Sequence, residues 1–440
     1  MNNVIINTTT IEDAVRAAEH RFAEVNPLSR ARHERARRVL PAGHSRQTLY
    51  YEPFPVTIVR GRGARVTDLD GHEYFNMIGD YVAGLYGHSC EPIQLAVRDA
   101  VASGLSLSGV NNREVELAEL ISDRIPSIQL LRFCNSGSEA CLFSVLTAQH
   151  VTNRRKILVF NGCYHGGFMV YGPEDTPLSI RFELVKCTYN EIDATRAALR
   201  QHANEIAAVI VEPMLDSAGC IPGTREFLGM LREETQRHGS LLIFDEVGTS
   251  RLAPGGLQES LGITPDMTTL GKFWGGGFNF GAFGGSREIM RHFDVSTGGR
   301  LELGGTFNNN IVAMTAGLAG MRDVYTAEAC AKLNTLGDIL RNGINDLGRA
   351  TGVGLQATGI GAVISTHWHT RHITHAGDVE PSSSPARRLF QLEMMLRGFY
   401  VSQRGMIALS LPMLEHDVKS FLAAMTAYVR DFRRILQTQS

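Results

Sequence analysis

Beyond about residue 113, apolar residues recur at helical spacing in long stretches and then crowd into short runs. The helical spacing covers residues 114–125, 138–150, 190–202 and 224–238. Between these lie the apolar runs Leu130–Cys134, Lys156–Phe160, 207–212 and Leu241–Asp245. Short runs with four or five apolar residues each are strands covered on both faces. Their alternation with helices predicts an α/β fold with a mainly parallel sheet and helices on both sides. In such a sheet, ligands sit beyond the carboxyl ends of the strands. The polar clusters fall there: Asn135 to Ser138, Asn161 to Gly167, Glu212-Pro213 and Asp245-Glu246.

The flanks read differently. Thr10 followed by Asp13 predicts a helix start, with the helix running to about residue 24. Residues 30–38 are strongly basic and read as the solvated face of a helix. Short strands are expected at 56–60, Arg65–Asp68 and 73–77, with Asp70-Gly71 as a turn. A helix over 311–325 leads into a C-terminal part with two or three helices around a glycine-rich strand region at 352–366, and a loop at 377–385. The expected division is an N-terminal segment 1–79, a large domain 80–325 and a smaller α+β domain 326–440, completed by the N-terminal strands.

Composition narrows the function. The chain has 440 residues, 43% of them hydrophobic, enough for a large core. Its 43 Lys and Arg against 45 Asp and Glu leave a net charge of −2, which argues against nucleic-acid binding. No run approaches the ~18 apolar residues of a membrane span. The N-terminus lacks the basic flank and apolar centre of a secretory signal, and the C-terminus ends in no lipidation signal. The seven cysteines are scattered and never in a CxxC pair, so they read as reduced thiols of a cytoplasmic protein.

Four features carry chemistry. Phe133-Cys-Asn-Ser-Gly-Ser-Glu-Ala140 runs from a strand into a helix, and Ser136, Gly137 and Ser138 offer N–H groups and hydroxyls as a phosphate cradle. Asn161-Gly-Cys-Tyr-His-Gly-Gly167 sets Tyr164, a ring that stacks on flat ligands, beside the imidazole of His165. Leu241 to Val247 ends an apolar strand in Asp245 and Glu246, and a buried carboxylate there needs a cation or several donors. Thr268 to Gly277 places Lys272 between an apolar strand and three glycines, where desolvation lowers an amine pKa and makes it nucleophilic. Each feature alone has an ordinary structural explanation. Together they meet the needs of pyridoxal phosphate: a lysine for a Schiff base and an acid for the pyridinium nitrogen.

These motifs, with the Val-Glu-Pro-Met at 211–214 and the Gly-Gly-Thr-Phe-Asn-Asn-Asn at 304–310, resemble the class III, fold-type I pyridoxal-phosphate aminotransferases from about residue 30 onward. Within them the chain most resembles the β-phenylalanine (β-amino acid) aminotransferases of the glutamate-1-semialdehyde aminomutase-like branch. The resemblance implies Lys272 as the Schiff-base lysine and Asp245 as the pyridinium partner. It implies Tyr164 and Val247 against the ring faces, Ser136, Gly137 and Ser138 on the phosphate, and His165 and Glu212 as further cofactor residues. Thr306 would complete the phosphate site of a neighbouring subunit, which makes the active unit a homodimer with sites at the interface. Arg46 and Arg404 resemble substrate-carboxylate arginines, suited to bidentate pairing. Tyr81, with Tyr50 and Tyr86, is a candidate wall for an aromatic side chain.

The implied reaction moves an amino group from a β-amino acid, with aromatic donors among the candidates, to a 2-keto acid such as 2-oxoglutarate or pyruvate. The alternatives are a glutamate-1-semialdehyde-type 2,1-aminomutase, which needs no acceptor, and a non-catalytic binding protein on the same fold. Two positions depart from the pattern. Gly248 stands where relatives usually carry Met or another large side chain, and Leu215-Asp216 where Gln-Gly is common. His367 and His369 alternate as metal ligands on a strand can, but no carboxylate or Cys stands beside them in sequence, so no metal is expected.

Overall fold

The structure, a computed structural model, describes residues 10–172 and 176–437. The terminal stretches 1–9 and 438–440, read above for targeting signals, lie outside these. Thr10 accepts a hydrogen bond from the Asp13 N–H (3.2 Å) and caps the helix Ile11–Val25. Pro27 opens the next helix, Pro27–Ala36, which buries Ser29, His33 and Ala36 and leaves most of its arginines outside. Three strands follow in antiparallel order, β1 (Ile58–Arg62), β2 (Arg65–Asp68) and β3 (Glu73–Asn76).

The central sheet has seven strands: β4 (Leu130–Cys134), β5 (Lys156–Phe160), β6 (Leu184–Cys187), β7 (Ile206–Val211), β8 (Leu241–Asp245), β9 (Met267–Gly271) and β10 (Gly281–Gly285), in the spatial order β4-β10-β9-β8-β7-β5-β6. β5 to β9 run parallel, while β10 is antiparallel to both neighbours. Every residue of β7, β9 and β10 is buried, which explains the unbroken apolar spelling of β7. The sequence pattern missed β6 and β10. β10 reads Gly-Ala-Phe-Gly-Gly, poor in strand formers. Its glycines answer to contact: a Cβ at Gly284 would lie 2.6 Å from the Leu130 carbonyl oxygen, and one at Gly285 2.5 Å from that of Asp266. The helix expected over 311–325 closes at Ala319 and continues as a wider π turn, Gly320–Val324, where the Tyr86 ring lies against Gly320.

The C-terminal chain forms the helices Ala327–Thr351, Pro385–Leu396 and Glu415–Gln437, with strands β11 (Leu355–Ile360), β12 (Val363–Trp368), β13 (Phe399–Tyr400) and β14 (Met406–Ala408) between them. β11, β12 and β14 make one antiparallel sheet. β13 pairs parallel with β3, so the N-terminal strands and the C-terminal chain share one sheet. This brings the turn after β3 beside the loop 401–405, and the Ala408 N–H donates to the Met77 carbonyl (2.9 Å).

That turn carries strain. Gly79, Asp80, Tyr81 and Val82 all have positive φ, at 52°, 47°, 52° and 80°. For residues with a Cβ this costs of order 1 kcal/mol each. Buried Arg251 holds the end of the turn by donating to the carbonyls of Val82 (3.0 Å) and Leu409. The Gly84 N–H donates to the Gly79 carbonyl (2.8 Å) and closes it.

Candidate active site

The polar strand ends gather at one edge of the central sheet. Asp245, the last residue of β8, is buried, and its two oxygens accept four donors. His165 Nδ1 (2.7 Å) and Cys141 Sγ (3.3 Å) reach Oδ2, while the Val247 N–H (3.1 Å) and Thr269 Oγ1 (3.2 Å) reach Oδ1. Burial alone would raise the Asp245 pKa, but the His165 contact and these donors hold it below the usual carboxylate range. His165 is fully buried, which by itself would lower its pKa; the neighbouring Cys163, the hydrogen bond to Asp245 and Cys141 hold it well above the ordinary value instead. The floor of the site is therefore an imidazolium–carboxylate pair. His165 lies beneath the cleft and reaches any ligand through Asp245. Burial, then Asp245, pushes the Cys141 thiol up to about 12, so it stays a neutral donor. Cys141 and Thr269 were not foreseen as partners of Asp245, although Thr268-Thr269 in an apolar strand was a visible signal.

The cradle sits at the start of the helix Gly137–Thr152. Ser136 caps it by accepting from the Glu139 N–H (3.2 Å), and Ser138 Oγ accepts from the Gly167 N–H (3.3 Å). Gly137 is required: a Cβ there would lie 2.8 Å from both Val247 methyls. Tyr164 leaves its ring 44% exposed, while its N–H donates to Glu212 Oε1 (3.0 Å). Glu212 is buried, and its Oε2 accepts the Asp216 N–H (3.1 Å). Burial first and the Asp216 charge second push the Glu212 carboxyl well above its ordinary value.

Lys272 follows β9 in a left-handed conformation (φ 55°). Its Nζ lies 3.3 Å from Asp216 Oδ2. The amine was expected to be depressed by desolvation. Burial does pull it down, but the neighbouring carboxylates, Asp216 first and then Asp245 and Glu212, together raise the Lys272 pKa. Asp216 itself is 7% exposed and faces the amine, away from solvent.

The proposed substrate residues meet around Tyr81. Its hydroxyl donates to the Thr48 carbonyl (2.6 Å) and lies 3.0 Å from Ser402 Oγ. Arg46, two residues before Thr48, is exposed and paired with Asp80 (2.7 Å). Arg404, two residues beyond Ser402, has no carboxylate partner among the described residues. It lines a cavity of about 360 Å³ with Tyr50, Tyr51, Tyr81, Tyr400 and Gln391. A second cavity, of about 640 Å³, contains Lys272 and shares Leu49, Ile78 and Tyr400 with the first. Tyr86 lies apart from Tyr50 and Tyr81, with its hydroxyl on Met321 Sδ (3.2 Å). Thr306 is exposed, in a pocket with Leu105, Leu107 and Phe307.

Among the described residues, two clusters have the composition of metal sites. Cys141, His165 and Asp245 are already joined by the hydrogen bonds above. His367 and His369 do meet a carboxylate, Glu380, which corrects the expectation that none accompanies them. The loop 369–380 brings it back to the strand. Arg387 pairs with Glu380 (2.7 Å) and lies 3.3 Å from His367 Nδ1, so a guanidinium already takes the cationic position. Arg387 also donates to the Arg404 carbonyl and so braces the loop that bears Arg404.

A carboxylate held anionic, an amine one strand away, a helix N-terminus flanked by hydroxyls and an exposed ring suit pyridoxal phosphate, which needs all four. The class-III aminotransferase family matches residues 48–171 and 173–406. The β-phenylalanine transaminase of Variovorax paradoxus is 44% identical over 419 residues, spanning 95% of this chain and 96% of that protein. A crystal structure of a β-phenylalanine aminotransferase from the same organism superposes with a TM-score of 0.95 at 43% identity, covering 97% of this chain and 99% of that one. An ω-transaminase from Sphaerobacter thermophilus superposes with a TM-score of 0.86 at 38% identity, covering 92% and 98%. The glutamate-1-semialdehyde 2,1-aminomutase of Aquifex aeolicus is 35% identical, spanning 79% of this chain and 85% of that protein. Likeness of this extent, reaching from Thr48 across both cavities to Met406, makes the chain a member of the class-III aminotransferases, which are pyridoxal-phosphate enzymes.

Proposed function

We propose that this chain moves the amino group of a β-amino acid, with aromatic donors such as β-phenylalanine preferred, to a 2-keto acid such as 2-oxoglutarate or pyruvate. The observation that carries the reading is the cavity lined by Tyr50, Tyr51, Tyr81, Tyr400 and Arg404. It offers an aromatic wall and a guanidinium without a carboxylate partner among the described residues, next to the cavity that contains Lys272. The extended likeness to a β-phenylalanine transaminase supports it.

In this reading Ser136, Gly137 and Ser138 bind the cofactor phosphate at the positive end of their helix. Asp245, kept anionic by His165, holds the ring nitrogen. Tyr164 and Val247 flank the ring, and Glu212 fixes the backbone of Tyr164. Bound pyridoxal phosphate supplies the electron sink for the pair left when the donor loses its C–H proton. Lys272 binds the cofactor and, when freed, moves that proton. Arg404 pairs with the donor carboxylate. Arg46 exchanges Asp80 for the carboxylate of the second substrate.

The active unit is a cytoplasmic homodimer with Thr306 reaching the partner's phosphate site. Support comes from large apolar side chains left exposed around Thr306: Leu105, Leu107 and Phe307. Among the described residues no helix is long and apolar enough to cross a membrane. We take residues 80–325 as the cofactor-binding body and 326–440, with the strands of 1–79, as the smaller domain.

The test is cofactor-loaded enzyme mixed with racemic β-phenylalanine and no acceptor, with cofactor absorbance followed. Conversion of the cofactor to its amine form with one equivalent of keto acid released is the expected result. Unchanged absorbance removes the aromatic β-amino acid. Return of an isomeric amine without keto acid selects the aminomutase.

A further inference from the structure

The two departures from the family pattern, Asp216 and Gly248, lie 32 positions apart in the chain and meet in the fold. A Cβ added at Gly248 would collide with Asp216 Oδ2 and would lie 3.3 Å from Lys272 Nζ. The side chain missing at 248 leaves a space, and the Asp216 carboxylate occupies it. Its backbone is fixed on both sides: the Asp216 N–H donates to Glu212 Oε2 (3.1 Å), and the Asp216 carbonyl accepts from the Cys220 N–H (3.3 Å). From this seat Oδ2 lies 3.3 Å from Lys272 Nζ, with the Asp216 side chain 9% exposed. We propose that Asp216, seated over Gly248, is a catalytic carboxylate that shares one proton with the reacting amine of Lys272.

The other titratable groups around the pair leave this role to Asp216. Burial, then the Asp216 charge, pushes both Glu212 and the Cys220 thiol well above their ordinary values. Asp245 is engaged by His165 (2.7 Å). Burial pulls the Lys272 amine down, and the carboxylates around it, Asp216 first and then Asp245 and Glu212, raise it; of these, Asp216 is the one hydrogen-bonded to Nζ (3.3 Å). The proton balance is internal. As ammonium and carboxylate, or as amine and carboxylic acid, the pair holds the same single proton. Transfer breaks an N–H bond, leaves the electron pair on nitrogen and forms an O–H bond on Oδ2. Relieved of the proton, Lys272 is a base; given it back, it is the acid for the return step.

The proposal rests on the reading above that Lys272 binds the cofactor, and its test separates the two. Cofactor-loaded wild type, D216N, D216E and the double variant D216G/G248M are titrated between pH 5 and 10, reading absorbance of the bound cofactor, cofactor content and melting temperature. The expected result for D216N is a fall of about 1 unit or more in the midpoint of the absorbance change. D216E should recover at least half of that fall. D216G/G248M should keep its cofactor and melting temperature, because the Met fills the space, yet titrate like D216N. G248M alone, with Asp216 still in place, should lose cofactor or stability. A D216N midpoint within about 0.3 units of wild type at full cofactor content overturns the proposal, since a structural role would not move it. So does a G248M single variant that is as stable and as fully loaded as the double variant. Borohydride reduction followed by peptide mass analysis locates the lysine: cofactor fixed elsewhere than Lys272 overturns the functional reading and this proposal with it, whereas an unmoved midpoint with cofactor on Lys272 overturns this proposal alone.

Discussion

Asp245 is 4% exposed and receives its four donors from four separate stretches of chain, two of them regular elements of the central sheet and its helix. Arg404 and Arg46 sit on exposed loops, the one without a carboxylate partner among the described residues and the other paired with a half-exposed Asp80. The floor is thus preorganised and dry, whereas the wall is wet and held by its backbone. Groups that stabilise developing charge act most strongly in the first setting, because no reorganisation is needed during the reaction. Groups that select among substrates belong in the second, where loops change without disturbing the sheet.

The sharpest way to break this contrast is Asp245→Asn. It leaves His165 buried without its anion, and we expect kcat to fall by about 10³-fold with visible loss of cofactor affinity, measured by steady-state rates and cofactor titration. A fall of less than tenfold would mean that the floor is no more demanding than the wall.

Next in size are the two arginines compared with each other. Arg404→Ala should raise KM for the β-amino acid about 30-fold with little change in kcat, the signature of lost uniform binding. Arg46→Ala should raise a KM only about fivefold, because its bond to substrate replaces one to Asp80. Equal effects would show that the Asp80 pair does not compete.

A stability effect of about 2 kcal/mol is expected at Glu380, discounted for its partial contact with solvent. Burial alone would raise its pKa, but His367 and Arg387 bring it down to about 2. The folded value lies below the unfolded one, so the stabilisation is present above about pH 4.5 and is lost as pH falls toward 2. The melting-temperature gap between wild type and Glu380→Gln should be full at pH 7 and narrow across that window. A gap independent of pH would assign the effect to packing.

The same contrast governs what could be read from the chain. Lys156–Phe160 and Leu241–Asp245 were legible to the residue because strands buried on both faces have little choice but apolar runs; Leu130–Cys134 was legible as well, although Leu130 and Arg132 are exposed. Gly281–Gly285 was not, because its neighbours demand small residues where propensity asks for branched ones. Ser136, Tyr164, Asp245 and Lys272 could be placed at strand ends because each ends a strand or follows one within four residues. The ion pair of Arg46 with Asp80, the seat of Asp216 over Gly248 and the arrival of Glu380 at His369 were not visible. Each joins separate loops through tertiary contact, and no local period records it.

The left-handed turn Gly79–Val82 has a consequence for anyone who would redesign the donor range. Because Arg251 and the closing bond to Gly84 fix its course, the main chain sets where residue 81 points, independently of the side chain mounted on it. Position 81 is then an interchangeable fitting on a rigid bracket. Libraries at that site sample side-chain shape with a constant anchor, and Gly or Asn introduced at 80 or 82 relieves the bracket without bending it.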